Sequence, residues 1–141
     1  MKNLLIAGLV LITGCGKKPL PKIGQPYQGG RIFYIDSSDY HGLVIDTEDL
    51  GILNWEDAIN KCKSYRAGGF NDWHLPTLKE LDLLYQHKDT ADGFIHYYYW
   101  SGEELTNQED DDSAYYKNFS DGTNGKANEG NQNMVRAVRA F

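Results

Sequence analysis

The residues best suited to chemistry crowd into NDWHLPTLKEL, Asn71 to Leu81, where Asp72, His74 and Glu80 surround a proline. A histidine among carboxylates is the material of general acid–base catalysis, provided that a partner lies within hydrogen-bond reach. The spacing favours another reading. Thr77 followed by Glu80 forms a capping box, and Pro76 and Leu81 occupy the positions of a hydrophobic staple. Proline also holds Leu75 extended, so a strand-like approach ends abruptly in a helix. Local spacing provides His74 with no partner, and the segment, with Trp73, Pro76, Thr77 and Glu80, reads as scaffold.

A second concentration is EELTNQEDDD, Glu103 to Asp112, with six carboxylates in ten residues. Calcium takes roughly six to eight oxygens, which Asp110 and Asp112, with Asp121 from the following turn, could begin to supply. Glu103, Glu104, Asp111 and Asn124 join them as candidate ligand contacts. The spacing matches no EF-hand, and a solvated loop between two strands is the favoured reading, so no cofactor is expected and calcium is the one candidate. His41, His74, His87 and His96 lack metal-ligand spacing, no glycine-rich phosphate loop is present, and Ser101 has no nucleophile-elbow context. An enzyme is not expected.

The chain opens MKNLLIAGLVLITGCGKK, with one early lysine, an apolar run from Leu4 to Ile12 and small residues before Cys15. That is a secretory signal layout, too short to span a bilayer. The residues Ile12, Thr13, Gly14 and Cys15 resemble the lipobox of bacterial lipoproteins, which implies a signal peptide over 1–14 and lipid attachment at Cys15. Each buried methylene of such an anchor contributes about 0.8 kcal/mol, so two or three chains hold a protein stably on a membrane. The expected location is the bacterial cell envelope. By the same resemblance, Gly16 rather than aspartate permits transfer to an outer membrane where the organism has one.

Removing residues 1–14 takes Lys2 from the 14 basic residues, and 13 against 20 acidic residues leaves a charge of −7. No net counterion release would then drive sequence-independent binding to nucleic acid or other polyanions. Residues 15–26 read as a lipidated cysteine and a Pro/Lys tether that reaches only about 30 Å in extended form. Its lysines serve either contact with anionic headgroups or simple solubility. Residues 27–141 make one domain. Once Cys15 carries lipid, Cys62 has no internal disulfide partner, and packing must hold the domain together.

The scaffold follows from pattern. RIFYID and GLVID form a hairpin around DSSDYHG. NWEDAINKCKSYRAGG is a helix capped by Asn54, with Trp55, Ala58, Ile59, Cys62 and Tyr65 on one face and Gly68 and Gly69 as its stop. Cys62 thus reads as a packed structural thiol. Leu78, Leu81, Leu84 and Tyr85 face the core from a second helix. HYYYW and AYYKNF read as strands, with Tyr98, Trp100 and Phe119 assigned inward and the remaining tyrosines free to stack on a sugar or a partner protein. In VRAVRAF, Arg136 and Arg139 read as structural pairs for carboxylates; the periodicity leaves helix and strand both open.

The ordered pieces GGRIFYID, HGLVID, NWEDAINKCKSY, GGFNDWHLPTLKELDLLY, YYYWSGEE, AYYKNFSDG and VRAVRAF resemble the Lcl C-terminal domain family, from about Gly29 to Phe141. The resemblance implies an α+β, C-type-lectin-like fold, with two helices packed on a small antiparallel sheet, paired terminal strands and VRAVRAF as a strand. The family usually has arginine where this chain has His74. The calcium-dependent sugar site of related lectins needs a Glu-Pro-Asn or Gln-Pro-Asp loop and a Trp-Asn-Asp strand, and this chain has neither. The expected role is a lipid-anchored binding module for a glycan or an envelope or host protein, with the loops Glu103–Asp112 and Ser120–Asn133 carrying the contacts. The alternative is a structural or assembly lipoprotein that forms oligomers through its aromatic strands.

Overall fold

The computed structural model describes residues 20–38, 40–91, 93–94, 97–103, 105 and 112–141. Cys15, the signal peptide, most of the tether, His96, Glu104, Asp110 and Asp111 lie outside the described residues. The architecture is α+β. Strands β1 (Pro26–Tyr27), β2 (Gly30–Ile35) and β3 (Gly42–Ile45) lead to β4 (Gly51–Leu53) and α1 (Trp55–Ser64). Then come α2 (Leu78–Gln86), α3 (Lys88–Ala91), β5 (Tyr98–Trp100), β6 (Ser113–Asn118), β7 (Asn124–Asn128), β8 (Asn133–Val135) and β9 (Val138–Ala140).

The expected single antiparallel sheet is two sheets, of order β1-β2-β3-β9 and β4-β8-β5-β6-β7, with β5 and β8 parallel. The first and last strands share a sheet but lie at its opposite edges, and β9 pairs with β3. The end of the chain is a strand, which settles the helix-or-strand ambiguity of VRAVRAF. Two crossings join the sheets. Ile45 pairs with Val138 and Gly51 with Val135, so Asp46–Leu50 must span the length of only Arg136–Ala137. Such an excess cannot stay in one ladder and bends it, which is how a bulge works. The bonds Asp46 N–H to Ala137 O (3.0 Å) and Leu50 N–H to Val135 O (2.7 Å) hold its two ends.

Neighbouring residues along the inner strands enter opposite cores. Ile32, Val44, Trp100, Val135 and Ala137 pack with Ala58 and Cys62 of α1, together with Trp73. Phe33, Ile45, Tyr99, Met134 and Val138 pack with Leu81 and Leu84 of α2. The strands are thus covered on both faces, and each fully buried ring contributes on the order of 4–6 kcal/mol of transfer free energy as an upper bound. All three indole N–H groups find carbonyls: Trp55 to Ser101 O at 2.7 Å, Trp73 to Ala67 O at 3.1 Å and Trp100 to Leu53 O at 2.8 Å.

The two-sided burial corrects one assignment. Tyr99, not Tyr98, is the tyrosine that goes inside, while Tyr98 is 44% exposed. Tyr98 shares its face with Trp100 but lies where nothing covers it.

Helix α1 has the expected Asn54 cap, whose Oδ1 accepts from Asp57 N–H at 2.9 Å. It stops at Ser64, ahead of the glycines. Gly68 has φ +63°, and a Cβ there would meet the Gln28 carbonyl carbon at 2.7 Å. A Cβ on Gly29 would likewise meet Gly68 N at 2.4 Å. Gly68 therefore serves a backbone-to-backbone contact with the β1–β2 turn rather than the helix stop.

Helix α2 carries the capping box. Thr77 Oγ1 accepts from Glu80 N–H at 3.2 Å, and Glu80 Oε2 accepts from Thr77 N–H at 2.8 Å. His74 does have a partner, contrary to the sequence expectation. The capping box draws the Glu80 carboxylate back over Thr77, and His74 Nε2 lies 3.1 and 3.2 Å from its two oxygens. His74 also exchanges two backbone hydrogen bonds with Val138, of 2.9 and 3.0 Å, so this segment pins β9 to α2.

Both arginines of the last strand region hold structure. Arg136 is 2% exposed; its Nε donates to Asp49 at 2.7 Å, its Nη1 to Asp46 O at 3.3 Å and its Nη2 to Gly93 O at 2.8 Å. Arg139 grips Asp72 with two bonds of 2.7 and 3.0 Å, donates to Gln28, and stacks 3.9 Å from the Phe70 ring centre. Hydrogen bonding by Arg139 holds the Asp72 carboxyl below its usual range.

Two predictions follow from these clamps. Removing one partner of a buried ion pair costs about 3–5 kcal/mol, so Arg136→Ala should destabilise by that much in urea unfolding. Arg139→Ala should cost less, because its partner Asp72 is 53% exposed. Equal losses would mean that burial does not separate the two.

The second concerns pH. The Glu80 hydrogen bond raises the His74 pKa above 6.5 despite opposing burial. Burial alone would raise Glu80, but hydrogen bonds from His74 and Thr77 and the imidazolium charge outweigh it and hold Glu80 below 4.5. Stability from a raised histidine is complete below its unfolded pKa and lost as pH rises through the folded one. Stability from a lowered carboxyl is present above its unfolded pKa and lost as pH falls. The pair therefore contributes most between about pH 4.5 and 6.5. With the His74 side chain 42% exposed, screening keeps the effect small. The urea midpoint should fall further between about pH 6 and pH 8.5 in the wild type than in His74→Gln, and identical slopes would remove the pair as a contributor.

Candidate functional site

The face of the second sheet that carries Trp100 is only partly covered. Where α1 packs on it, Trp100, Ala114 and Val135 are buried. Beyond that cover the same face presents Tyr98 and Tyr116. Register explains their meeting: Trp100 lies opposite Tyr116 and Tyr98 opposite Asn118, so the two tyrosines are diagonal neighbours. Their rings meet edge to face, with centroids 4.9 Å apart.

Strand β8 runs parallel to β5, with Tyr99 beside Met134, which puts Asn133 on the Tyr98 face. Asn133 is 7% exposed, and its Nδ2 is buried with no hydrogen-bond partner among the described residues. The turn before it is built by Asn128, whose Oδ1 accepts from Gly130 N–H at 2.9 Å and whose carbonyl accepts from Asn131 N–H at 2.9 Å. Together these elements enclose a groove of about 490 Å³, with Tyr98 and Tyr116 on one side, Lys126 and Ala127 of β7, and the consecutive amides Asn131, Gln132 and Asn133. Among the described residues, no carboxylate lines it. The Lys126 ammonium stands 5.6 Å from the centre of the Tyr115 ring.

The arrangement offers ring faces, a buried amide donor and further amides able both to donate and to accept. That is equipment for holding a polar, uncharged ligand with an apolar face.

Of the acidic residues singled out from the sequence that are described, Glu103 and Asp112 make backbone hydrogen bonds and Asp121 uses its carboxylate. Glu103 N–H donates to Ser101 Oγ at 3.2 Å, and the Asp112 carbonyl accepts from Glu129 N–H at 2.8 Å. Asp121 Oδ1 takes Thr123 N–H and the Thr123 hydroxyl at 2.9 and 2.7 Å, and the backbone bond above all lowers its pKa. Asn124 Oδ1 accepts from Lys117 at 3.2 Å. Among the described residues no three His, Cys, Asp or Glu gather as a metal site.

Two other clefts are present. One, of about 520 Å³, runs between Trp55, Ile59 and Lys63 of α1 and the His74–Thr77 segment. The other, of about 380 Å³, lies between Tyr34, His41 and Leu83 and the terminal Phe141. In the first, the His74 imidazole is tied to Glu80, and Thr77 Oγ1 belongs to the helix cap. Cys62 lies under α1, where burial and the charge of Asp46 push its thiol up to about 12, far from a working nucleophile. Burial and the facing Asp46 push the Tyr65 phenol up to about 12 as well, and burial raises Asp46 itself.

Sequence reasoning missed Lys117, which is 2% exposed and donates to Asp82 at 2.6 Å, to Gly122 O at 2.7 Å and to Asn124. Its place within AYYKNF, an otherwise aromatic strand, was the available signal. It also missed Asn133 as more than a loop residue.

No curated protein matches the chain. The profile of the Lcl C-terminal domain matches residues 37–139, a span that contains α1, α2, Arg136 and Arg139 with their carboxylate partners and every residue named for the tyrosine–amide groove, and the chain belongs to the Lcl C-terminal domain family.

Proposed function

We propose that this chain is a lipid-anchored binding module of the bacterial cell envelope, and that its tyrosine–amide groove receives a carbohydrate. The carrying observation is Asn133. An amide donor buried without a partner costs about 1–3 kcal/mol, and a ligand that accepts from it recovers that loss. It lies beside Tyr98, 44% exposed, and the half-buried Tyr116, and tyrosine supplies rigid contact area for a sugar ring. Membership of the family supports a binding or surface-associated role. Anchoring rests on Cys15 in its lipobox-like context, and the described residues contain no helix long and apolar enough to cross a membrane. Catalysis is not part of this reading.

The test uses the processed chain, made without its lipid, on a broad glycan array and then in titrations with the best binder. Tyr98→Ala should weaken binding about tenfold, the worth of one lost stacking contact. Tyr40→Ala, at the 70% exposed tip of the first hairpin, should leave it unchanged. Affinity should be the same in calcium and in chelator, because none of the described residues lining the groove is a carboxylate. Binding lost only in chelator would move the site to the acidic segment, and binding to no glycan at all would turn the reading toward a protein partner.

A further inference from the structure

Resting on the carbohydrate reading, we infer that the groove selects an uncharged, N-acetylated sugar, with Asn133 Nδ2 donating to the acetamido carbonyl oxygen. Three observations converge on this ligand. The first is charge. The lining residues include no acid, and the one cation, Lys126, already lies over the Tyr115 ring. An acidic sugar would meet little compensation here and would approach a chain of formal charge −6.

The second is depth. Tyr98 is 44% exposed and stands at the mouth, while Asn133 is 7% exposed and lies below it. A sugar ring stacked on Tyr98 holds its hydroxyls close against the ring. An acetamido group projects several bonds further, so a small turn of the Asn133 amide toward the groove brings the two together without drawing the ring in after it.

The third is hydrogen-bond chemistry. A desolvated amide N–H calls for a strong acceptor, and an amide carbonyl is a better one than a hydroxyl that also has its own proton to place. The primary amides of Asn131 and Gln132 offer acceptors for the acetamido N–H, and Ala127 gives its methyl an apolar neighbour.

The probes are the β-1,4-linked trimer of N-acetylglucosamine and cellotriose, which share ring and linkage and differ in the acetamido group. With the processed chain, calorimetric titration should show the acetylated trimer binding at least about tenfold tighter, the effect of one buried hydrogen bond made or missed. Asn133→Asp keeps the side-chain shape and removes the donor, so it should erase that preference. Should the variant fold poorly, the wild-type Asn133 side-chain amide resonance gives a second readout, shifting with the acetylated trimer and not with cellotriose. Equal affinity for both trimers overturns the acetamido assignment and leaves the carbohydrate reading standing. The same holds if neither trimer binds while another glycan binds in a Tyr98-dependent way. Silence toward every glycan removes both.

Discussion

The guanidinium of Arg136 is taken out of water at the place where the two sheets part, and the surrounding fold is arranged to satisfy it. Burying such a cation costs several kcal/mol unless its donors are met by well-placed acceptors. Asp49 supplies charge at 2.7 Å, the carbonyls of Asp46 and Gly93 take the other donors, and Phe94 lies 4.5 Å below the plane. Asp46 and Asp49 belong to the segment that overruns its partner strand by three residues, five against two. A bulge of that size leaves backbone carbonyls without ladder partners, and a buried orphan carbonyl carries a cost of its own. Arg136 answers both needs at once. Its position between β8 and β9 means that one side chain sets how the chain passes from the second sheet to the first.

Local rules were the most legible part of the fold. Asn54 and the Thr77–Glu80 box declare two helix starts through side-chain chemistry that acts within three residues, so no tertiary knowledge is needed to read them. The hairpin of β2 and β3 is legible for the same reason. Long-range facts were not. That both faces of the strands are buried depends on α1 and α2 lying on opposite sides, and a run such as Tyr98-Tyr99-Trp100 reads identically for one covered face or two. Assigning Tyr98 inward follows from assuming one covered face. The pairing of His74 with Glu80 failed to be read for a related reason: residues six apart are not neighbours on any regular element, and only the backward reach of Glu80 in the capping box makes them so.

The groove was half legible. Exposed tyrosines near the segment Ser120–Asn133 could be expected from alternation and turn residues. Asn133 could not be singled out, since a loop rich in asparagine and glycine gives no hint of which amide becomes the first residue of a buried strand. Lys117 shows the converse. A strand lysine ordinarily implies an exposed position, yet Asp82 from α2 and the Gly122 carbonyl gather around it and make burial tolerable. In both cases the deciding partners are distant in sequence: Asp82 precedes Lys117 by 35 residues.

Asn133 and Arg136 stand three positions apart on the same stretch of chain, and their proximity bears on how the groove works. The strand that presents the orphan amide is held between β4 and β5 and is fixed at its far end by the Arg136 cluster. Rigid support of this kind holds a buried donor in place while it has no partner, where a mobile loop would relax and satisfy it internally. The unsatisfied amide lowers the stability of the free domain, and the clamp three residues on offsets that loss. The arginine that joins the sheets and the unpaired amide are in this sense one device: the first makes the strand stiff enough for the second to stay unpaired.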